Sequence, residues 1–571
     1  MNHDDDAPRP GVSRRSLLKS GGAAGVAAAL GAAGASSGAG AAPAGAGRPT
    51  IVPGAAPGDD APDLLFVNGR IHTMDAADSI VSSVSITGGR FSGVGRGARA
   101  AGPGTKVINL RGRTVVPGIV ESHIHIVSLA NRPGYHTITE NARSIAQVQA
   151  ALAARRPDVP AGQFITSLGG FHTNMFAERR FPTLAELDAA VPDRPLFMFQ
   201  GFTGPSVTNS LGKAFFESAT IPVVVGTDGF ITAGIQSTTA LYGLRVLQTF
   251  EDKKRSTLDA MTYAVSTGLT ASLDQVLFPT PGPLQPNQAL SNLDHYRMYD
   301  SWLALQREGR TIHRLQTNFL HNQNDPALPE LKERLKNQFQ FFGSDMMMTG
   351  AIGEWAAPLG AGAVWLEAQR LVAQARWRNE NAVGSIAQLE QVVSAYEAMD
   401  AEFGIRDLRW MVHHVPFVTT ALLNRLRTLG GGVVMRGFTW IVGTPTANGA
   451  PFRTILDNGI KAGIEGDGVH ISTLTPWPHM QYAVTGVNAL GQLINGGQQI
   501  TRREALRAFT RENAWFLRME DEIGSIEPGK LGDLIVLDKD YFEVPEAAIE
   551  TVRSDLTVVG GAVVHDTGSV G

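Results

Sequence analysis

From Asp63 the chain alternates apolar and polar residues in short runs: Leu64 to Val67, Ile71 to Met74, Val84 to Thr87, Arg90 to Val94 and Val107 to Leu110, punctuated by Asn68-Gly69 and Gly88-Gly89. A period of two between turn residues predicts strands. The far end repeats the pattern at Asp533 to Leu537, Leu556 to Val559 and, beyond Gly560-Gly561, Ala562 to His565. Two β-rich ends bracketing roughly four hundred residues predict one small sheet domain assembled from both ends, with the larger domain inserted into it. The centre alternates differently. Helical periodicity recurs at Ser144 to Ala154, Leu184 to Ala190, Leu258 to Thr267, Gln388 to Phe403, Thr419 to Leu429 and Arg502 to Trp515, separated by short apolar runs such as Phe164 to Leu168, Leu196 to Phe199, Trp410 to Val412 and Gly432 to Met435. That alternation predicts a parallel sheet with crossover helices, of a length that suits a (β/α)8 TIM-like barrel with insertions. The expected fold is therefore α/β: a barrel over 117–522 and a small β-sandwich domain from 60–116 and 523–571. There are more than eight strand candidates, so some belong to inserted elements.

The first 47 residues stand apart. Ser13-Arg14-Arg15-Ser16-Leu17-Leu18-Lys19 precedes a Gly/Ala stretch from Gly21 to Gly47, which is similar to a twin-arginine export signal. Ala39-Gly40-Ala41 and Ala44-Gly45-Ala46 both fit a small-x-small cleavage site. The alternative is a low-complexity tail with an incidental arginine pair. An exported, periplasmic or extracellular protein that has passed through the twin-arginine machinery is the expectation. The apolar segment is too short to span a bilayer, and no later run approaches that length, so no stable membrane span is expected in the mature form.

Composition narrows the chemistry. Forty-nine basic against 53 acidic residues leave a net charge of -4, which offers no field for nucleic acid and makes a small molecule the default partner. With no cysteine, any metal must be held by His, Asp, Glu or a modified side chain. Gly430-Gly431-Gly432 lacks a phosphate-loop lysine and reads as a turn. A homodimer is left open by the sequence.

The most informative segment is Pro117-Gly118-Ile119-Val120-Glu121-Ser122-His123-Ile124-His125. Residues two apart on a strand share a face, so His123 and His125 present two imidazoles side by side, which suits a divalent metal. Two core histidines bonded to backbone are the alternative. In its context this segment resembles the first barrel strand of the metal-dependent amidohydrolase superfamily. The chain is similar to the third amidohydrolase group, which includes N-substituted formamide deformylases, from roughly Asp63 to His565. Val67-Asn68-Gly69-Arg70-Ile71-His72-Thr73-Met74-Asp75 and Ile523-Gly524-Ser525-Ile526-Glu527-Pro528-Gly529-Lys530-Leu531-Gly532-Asp533-Leu534 carry the resemblance at the two ends.

That resemblance implies a metal held by His123, His125 and Asp467, with Asp467 also accepting a proton. It implies that His414, rather than the adjacent His413, binds metal or polarises the substrate. Two departures bear on the metal count. Asn381-Ala382-Val383-Gly384-Ser385 stands where the group has a histidine, and Gly343 to Gly350, with Asp345, stands where a carboxylated lysine is expected. Gly204 also replaces a histidine ahead of Asn209-Ser210. One divalent ion, zinc by its ligand types, is therefore favoured over two, with Asp345 a candidate further ligand. His172, Trp355, Trp440 and Asn381 are candidate pocket residues, while Glu354 is a spare acid whose role ranges from ligand to surface charge. The implied activity is metal-dependent hydrolysis of an amide, N-formyl or cyclic amide C–N bond. The competing readings are a decarboxylase, isomerase or cyclase on the same fold, and a degenerate binding protein.

Overall fold

A computed structural model describes residues 61–570, apart from 202, 276–297, 444–448 and 470. Arg14, Arg15 and both expected cleavage points lie outside the described residues. Among the described residues no helix is long and apolar enough to cross a membrane.

The two β-rich ends come together in two sheets. The first has the order Arg90–Val94, Val84–Thr87, Leu64–Val67, Lys106–Asn109. In the second, the late strands Ala562–Asp566, Ser554–Val559 and Leu534–Leu537 lie beside Thr114–Pro117, Arg70–His72 and Ile80–Val81. The join is antiparallel, with Ile535 opposite Val116. Because side chains alternate between faces, Phe66, Ile86 and Phe91 of one sheet meet Ile71, Val536 and Val558 of the other in a single apolar cluster. Each such buried side chain contributes about 1.5–3 kcal/mol.

Thr114–Pro117 leads directly, through Gly118, into the parallel strands. Eight strands follow in chain order: β1 Ile119–Ile124, β2 Leu269–Gln275, β3 Arg314–Phe319, β4 Met347–Ile352, β5 Glu380–Ala382, β6 Met411–Val415, β7 Gly432–Arg436 and β8 Lys461–Glu465. They form two parallel sheets of four strands, β1 to β4 and β5 to β8. A parallel bridge between Ile352 and Asn379 links β4 to the start of β5. At the other edge Asn513 Nδ2 donates to Val120 O of β1 at 2.7 Å and to Ile464 O of β8 at 2.8 Å. Parallel neighbours need crossovers, and helices supply them. Ile386–Phe403, before β6, shows how the sequence encodes one. Ser385 caps its first turn by accepting from Gln388 N, and Leu389, Val392, Val393, Tyr396 and Met399 form its buried stripe. The helix ends at Gly404, whose φ of 65° suits a residue without Cβ. The result is the TIM-like α/β arrangement expected from the pattern.

Two expected strands belong elsewhere. Ile165–Leu168 and Leu196–Phe199 sit in a five-stranded sheet inserted between β1 and β2, with Tyr135–His136, Ser206–Thr208 and Phe230–Ile231. They are parallel to each other and fully buried, so their apolar runs look like barrel strands. Leu168, Phe197 and Phe199 on one face serve a separate core with Phe164, Phe216 and Leu241, while Ile165, Leu196 and Met198 on the other join the main core.

Candidate metal centre

The C-terminal ends of β1, β4, β6 and β8 converge, which is where a barrel of this polarity builds its sites. On β1 the two-residue period turns Glu121 and His123 inward, and His125 follows just past the strand. Beyond β8, Asp467 continues the alternation set by Glu465. Three groups of side chains bring ligand atoms within 4.8 Å of one another: His123, His125 and Asp467; His123, Glu354 and His414; His123, His413 and Glu465.

The first group is shaped for a cation. His123 Nε2 and Asp467 Oδ1 lie 3.8 Å apart, both buried and neither in a hydrogen bond. His125 Nε2 is 3.1 Å from the same Asp467 oxygen. His125 Nδ1 donates to Gln275 O at 2.5 Å, which leaves the lone pair of Nε2 aimed at the cluster. His414 is held in the same manner. Its Nδ1 donates to Glu465 Oε1 at 2.6 Å, and Nε2 lies 3.3 Å from Glu354 Oε1 and 3.6 Å from Asp467 Oδ2. Orphaned buried atoms facing one another, with the His125 and His414 rings oriented from behind by oxygen acceptors and His123 Nδ1 held by Gln275 Nε2 at 3.1 Å, fit a divalent ion with nitrogen and oxygen ligands. Asp467 and His414 both have left-handed backbone, with φ of 49° and 57°. For non-glycine residues this costs about 1–3 kcal/mol each and is tolerated where the fold holds a functional geometry.

Beneath the cluster lies a buried polar floor. Glu380 Oε2 accepts from Gln275 Nε2 at 2.9 Å, Asn318 Nδ2 at 2.6 Å and His413 Nε2 at 2.8 Å, and Glu380 Oε1 pairs with the Arg378 guanidinium at 3.1 Å. Charges with no access to water must be paired in this way. Burial, joined by the facing His414, His413 and His125, pushes the His123 pKa well below its usual value and keeps the ring neutral. Burial and the nearby Glu465 push Glu121 well above the carboxylate range. Burial would lower His414, but Glu465, Glu354 and Asp467 outweigh it and raise it. Burial likewise raises Asp467, against the opposing pull of His125 and His414.

The cluster opens on a cavity of about 470 Å3, lined by His125, His414, Asp467 and Glu354 together with apolar groups such as Trp355 and Leu359.

Comparison with known proteins identifies the family. The model of the amidohydrolase family matches residues 106–565. The chain belongs to that family. It is 24% identical over 566 residues to the N-substituted formamide deformylase of Arthrobacter pascens, covering 89% of this chain and 99% of the relative. Solved structures of uncharacterized metal-dependent hydrolases from Pyrococcus horikoshii OT3 and Pyrococcus furiosus share its fold. They have TM-scores of 0.55 and 0.54 and identities of 16% and 17%, and cover 85% and 84% of this chain and 99% and 100% of those chains. The general reading of a metal-dependent hydrolase therefore stands.

Within this amidohydrolase, the structure brings His123, His125, His414 and Asp467 together and leaves His413 in the floor. Asp345 is elsewhere. It precedes β4, at the opposite end from the site, is half exposed, and bonds Arg314 Nη1 at 3.1 Å. The acid that β4 does deliver is Glu354, just beyond its C-terminal end. Asn381 is also not in the cavity: its Oδ1 accepts from Trp365 Nε1, and its Nδ2 donates to Gln369 Oε1 and Tyr396 Oη, each at 2.9 Å. Of the pocket candidates only Trp355 lines the cavity. Trp440 is buried, 5.5 Å from the Arg143 guanidinium and edge-on to His479, and His172 caps a turn by accepting from Asn174 N. Gly204 packs against Ser237 in the inserted sheet's connections. The sequence reading gave no role to Glu465, Glu380 or Arg436. Glu465 had a signal, since it stands two residues before Asp467 on a strand that ends at the site.

Proposed function

We propose that this protein hydrolyses a carbon–nitrogen bond of a small molecule, an amide, N-formyl or cyclic amide, at the cluster of His123, His125 and Asp467. The observation that carries the reading is the convergence of these three buried side chains, two of them with unpartnered atoms, at one end of a cavity large enough for such a substrate. His123, His125 and Asp467 would hold the ion, with Glu354 and His414 beside it. A bound divalent ion, zinc by its ligand types, supplies Lewis-acid chemistry and brings the pKa of water down to about 7. One ion is favoured, because Asn381, which stands where the resemblance expects a second imidazole, is turned into the helices.

Asp467 is placed to accept a proton from the attacking water and return it to the leaving nitrogen. Glu465 fixes the His414 ring so that Nε2 faces the same space, where it stabilises charge developing on the carbonyl oxygen. Trp355, Leu359 and the adjoining apolar wall exclude water from the remainder of the substrate. The reading includes export by the twin-arginine route, supported by Arg14-Arg15 and the small-residue stretch that follows.

The test is turnover of a panel of N-formyl and N-acyl amines. Chelation abolishes it, zinc restores it, and His123→Ala and Asp467→Asn each lower kcat/KM by roughly 10²–10⁴-fold. Full turnover by metal-free protein overturns the reading. For export, a fusion to a reporter that is active only outside the cytoplasm gives signal with Arg14-Arg15 and loses it when both are changed to lysine.

A further inference from the structure

One cavity residue is not used by the chemistry above. Arg436 ends β7 and is the one arginine or lysine among the described residues that line the cavity. Its Nε is buried without a hydrogen-bond partner, and it makes no ion pair with Asp467 or Glu465, though both carboxylates are near enough to act on its charge. The guanidinium lies 4.8 Å from the Phe438 ring centroid, and that ring in turn stands edge-on to His414 at 5.0 Å. One aromatic ring therefore separates the cation from the metal centre. Arginine stays charged in proteins, and a half-buried cation with an open donor edge is completed by an anion, best by the two oxygens of a carboxylate. Phe438 fixes one face of the guanidinium and leaves its donor edge free.

We propose that Arg436 anchors a carboxylate on the substrate, so that the compound hydrolysed is an N-formyl or N-acyl amine bearing both a carboxylate and an apolar side chain. This rests on the hydrolytic reading above and specifies its substrate class. With the carboxylate on Arg436, the scissile carbonyl falls beside His414 and Asp467, and the side chain packs on Trp355 and Leu359.

The test uses two compounds that differ only in the anchor: N-formylphenylalanine and N-formyl-2-phenylethylamine. The zinc-loaded enzyme is expected to favour the first in kcat/KM by about tenfold or more. Arg436→Met collapses that ratio toward one, mainly through KM, and Arg436→Lys restores part of it. An equal loss on both compounds, accompanied by loss of zinc, overturns the proposal and makes Arg436 a counter-charge for Asp467 and Glu465. If the enzyme turns over neither compound, the hydrolytic reading fails for this class, and binding still decides the role of Arg436. In calorimetry on the zinc-loaded protein, 3-phenylpropionate is expected to bind about tenfold or more tighter than 3-phenylpropan-1-ol, with the difference lost in Arg436→Met at unchanged zinc content. Equal binding of 3-phenylpropionate by wild type and Arg436→Met overturns the proposal.

Discussion

Glu465 Oε1 accepts the Nδ1 proton of His414 at 2.6 Å and also accepts from the His414 backbone N at 3.0 Å. The two bonds fix both the ring and the left-handed backbone that carries it. Nε2 is left facing Glu354 and Asp467.

Glu465→Gln tests that relationship. It keeps the side-chain volume but loses the charge behind His414. kcat/KM is expected to fall by about 10²–10³-fold with the fold and the bound metal intact, because Nε2 of His414 is no longer held toward the carbonyl oxygen. Steady-state kinetics with metal analysis of the same sample measure it, and unchanged turnover would remove Glu465 from the site.

Asp345 and Asp533 share Arg314 but differ in environment. Asp533 makes a two-pronged pair with it, at 2.7 and 2.8 Å, and both side chains are about 2% exposed. Asp345 is half exposed. Asp533→Ala should cost about 3–5 kcal/mol, because it leaves a buried guanidinium short of its partner. Asp345→Ala should cost at most about 1 kcal/mol and leave bound metal and turnover unchanged. Urea unfolding and metal analysis of the two variants check both statements. Metal loss in Asp345→Ala would restore that residue as a ligand.

His313 gives stability a pH dependence. Its ring is buried against Leu269 O and Ser272 Oγ, and burial lowers its pKa to about 4. The unfolded chain takes up its proton near pH 6.5 and the folded chain near 4. The stabilisation is therefore fully present above 6.5 and is lost as pH falls toward 4, by about 3 kcal/mol over the whole window. His72 and His479, also lowered to about 4, act in the same sense. Urea midpoints taken between pH 7 and 4.5 should fall less for His313→Gln than for the wild type. Parallel curves would show that His313 is not the source.

Restoring a histidine at position 381 should not restore a second ion. The Asn381 side chain is enclosed by Trp365, Gln369 and Tyr396, so the larger imidazole of Asn381→His meets these groups rather than the cavity. The expected result is a destabilisation of about 1–3 kcal/mol with metal content per chain unchanged. A doubled metal content would show that β5 can turn the residue inward.

The parts of the site legible in the sequence are those set by local geometry. His123 and His125 follow from the two-residue period of one strand, and the sheet shared by early and late strands follows from two matching β-rich ends. What failed needed the limits of an element. Asp345 and Glu354 flank β4, and the run of methionines through Met346 to Met348 does not say where the strand begins, so the acid at the wrong end was as eligible as the one at the right end. β5 is three residues long, too short for its alternation to show that Glu380 faces inward and Asn381 outward. Arg436 reads in the sequence only as the charged end of an apolar run. Its open donor edge depends on Phe438 and on the distant Asp467 and Glu465.

The join between Thr114–Pro117 and Leu534–Leu537 has a consequence for how the molecule is made. The strand that leads into β1 finds its antiparallel neighbour roughly four hundred residues later in the chain, a pairing whose closure entropy and sequence separation delay it until synthesis is nearly complete. His123 and His125 thus sit a few residues from an edge that stays open until the last segment arrives. A chain truncated before Leu534 would keep every metal ligand and lose the partner of the strand that sets their register.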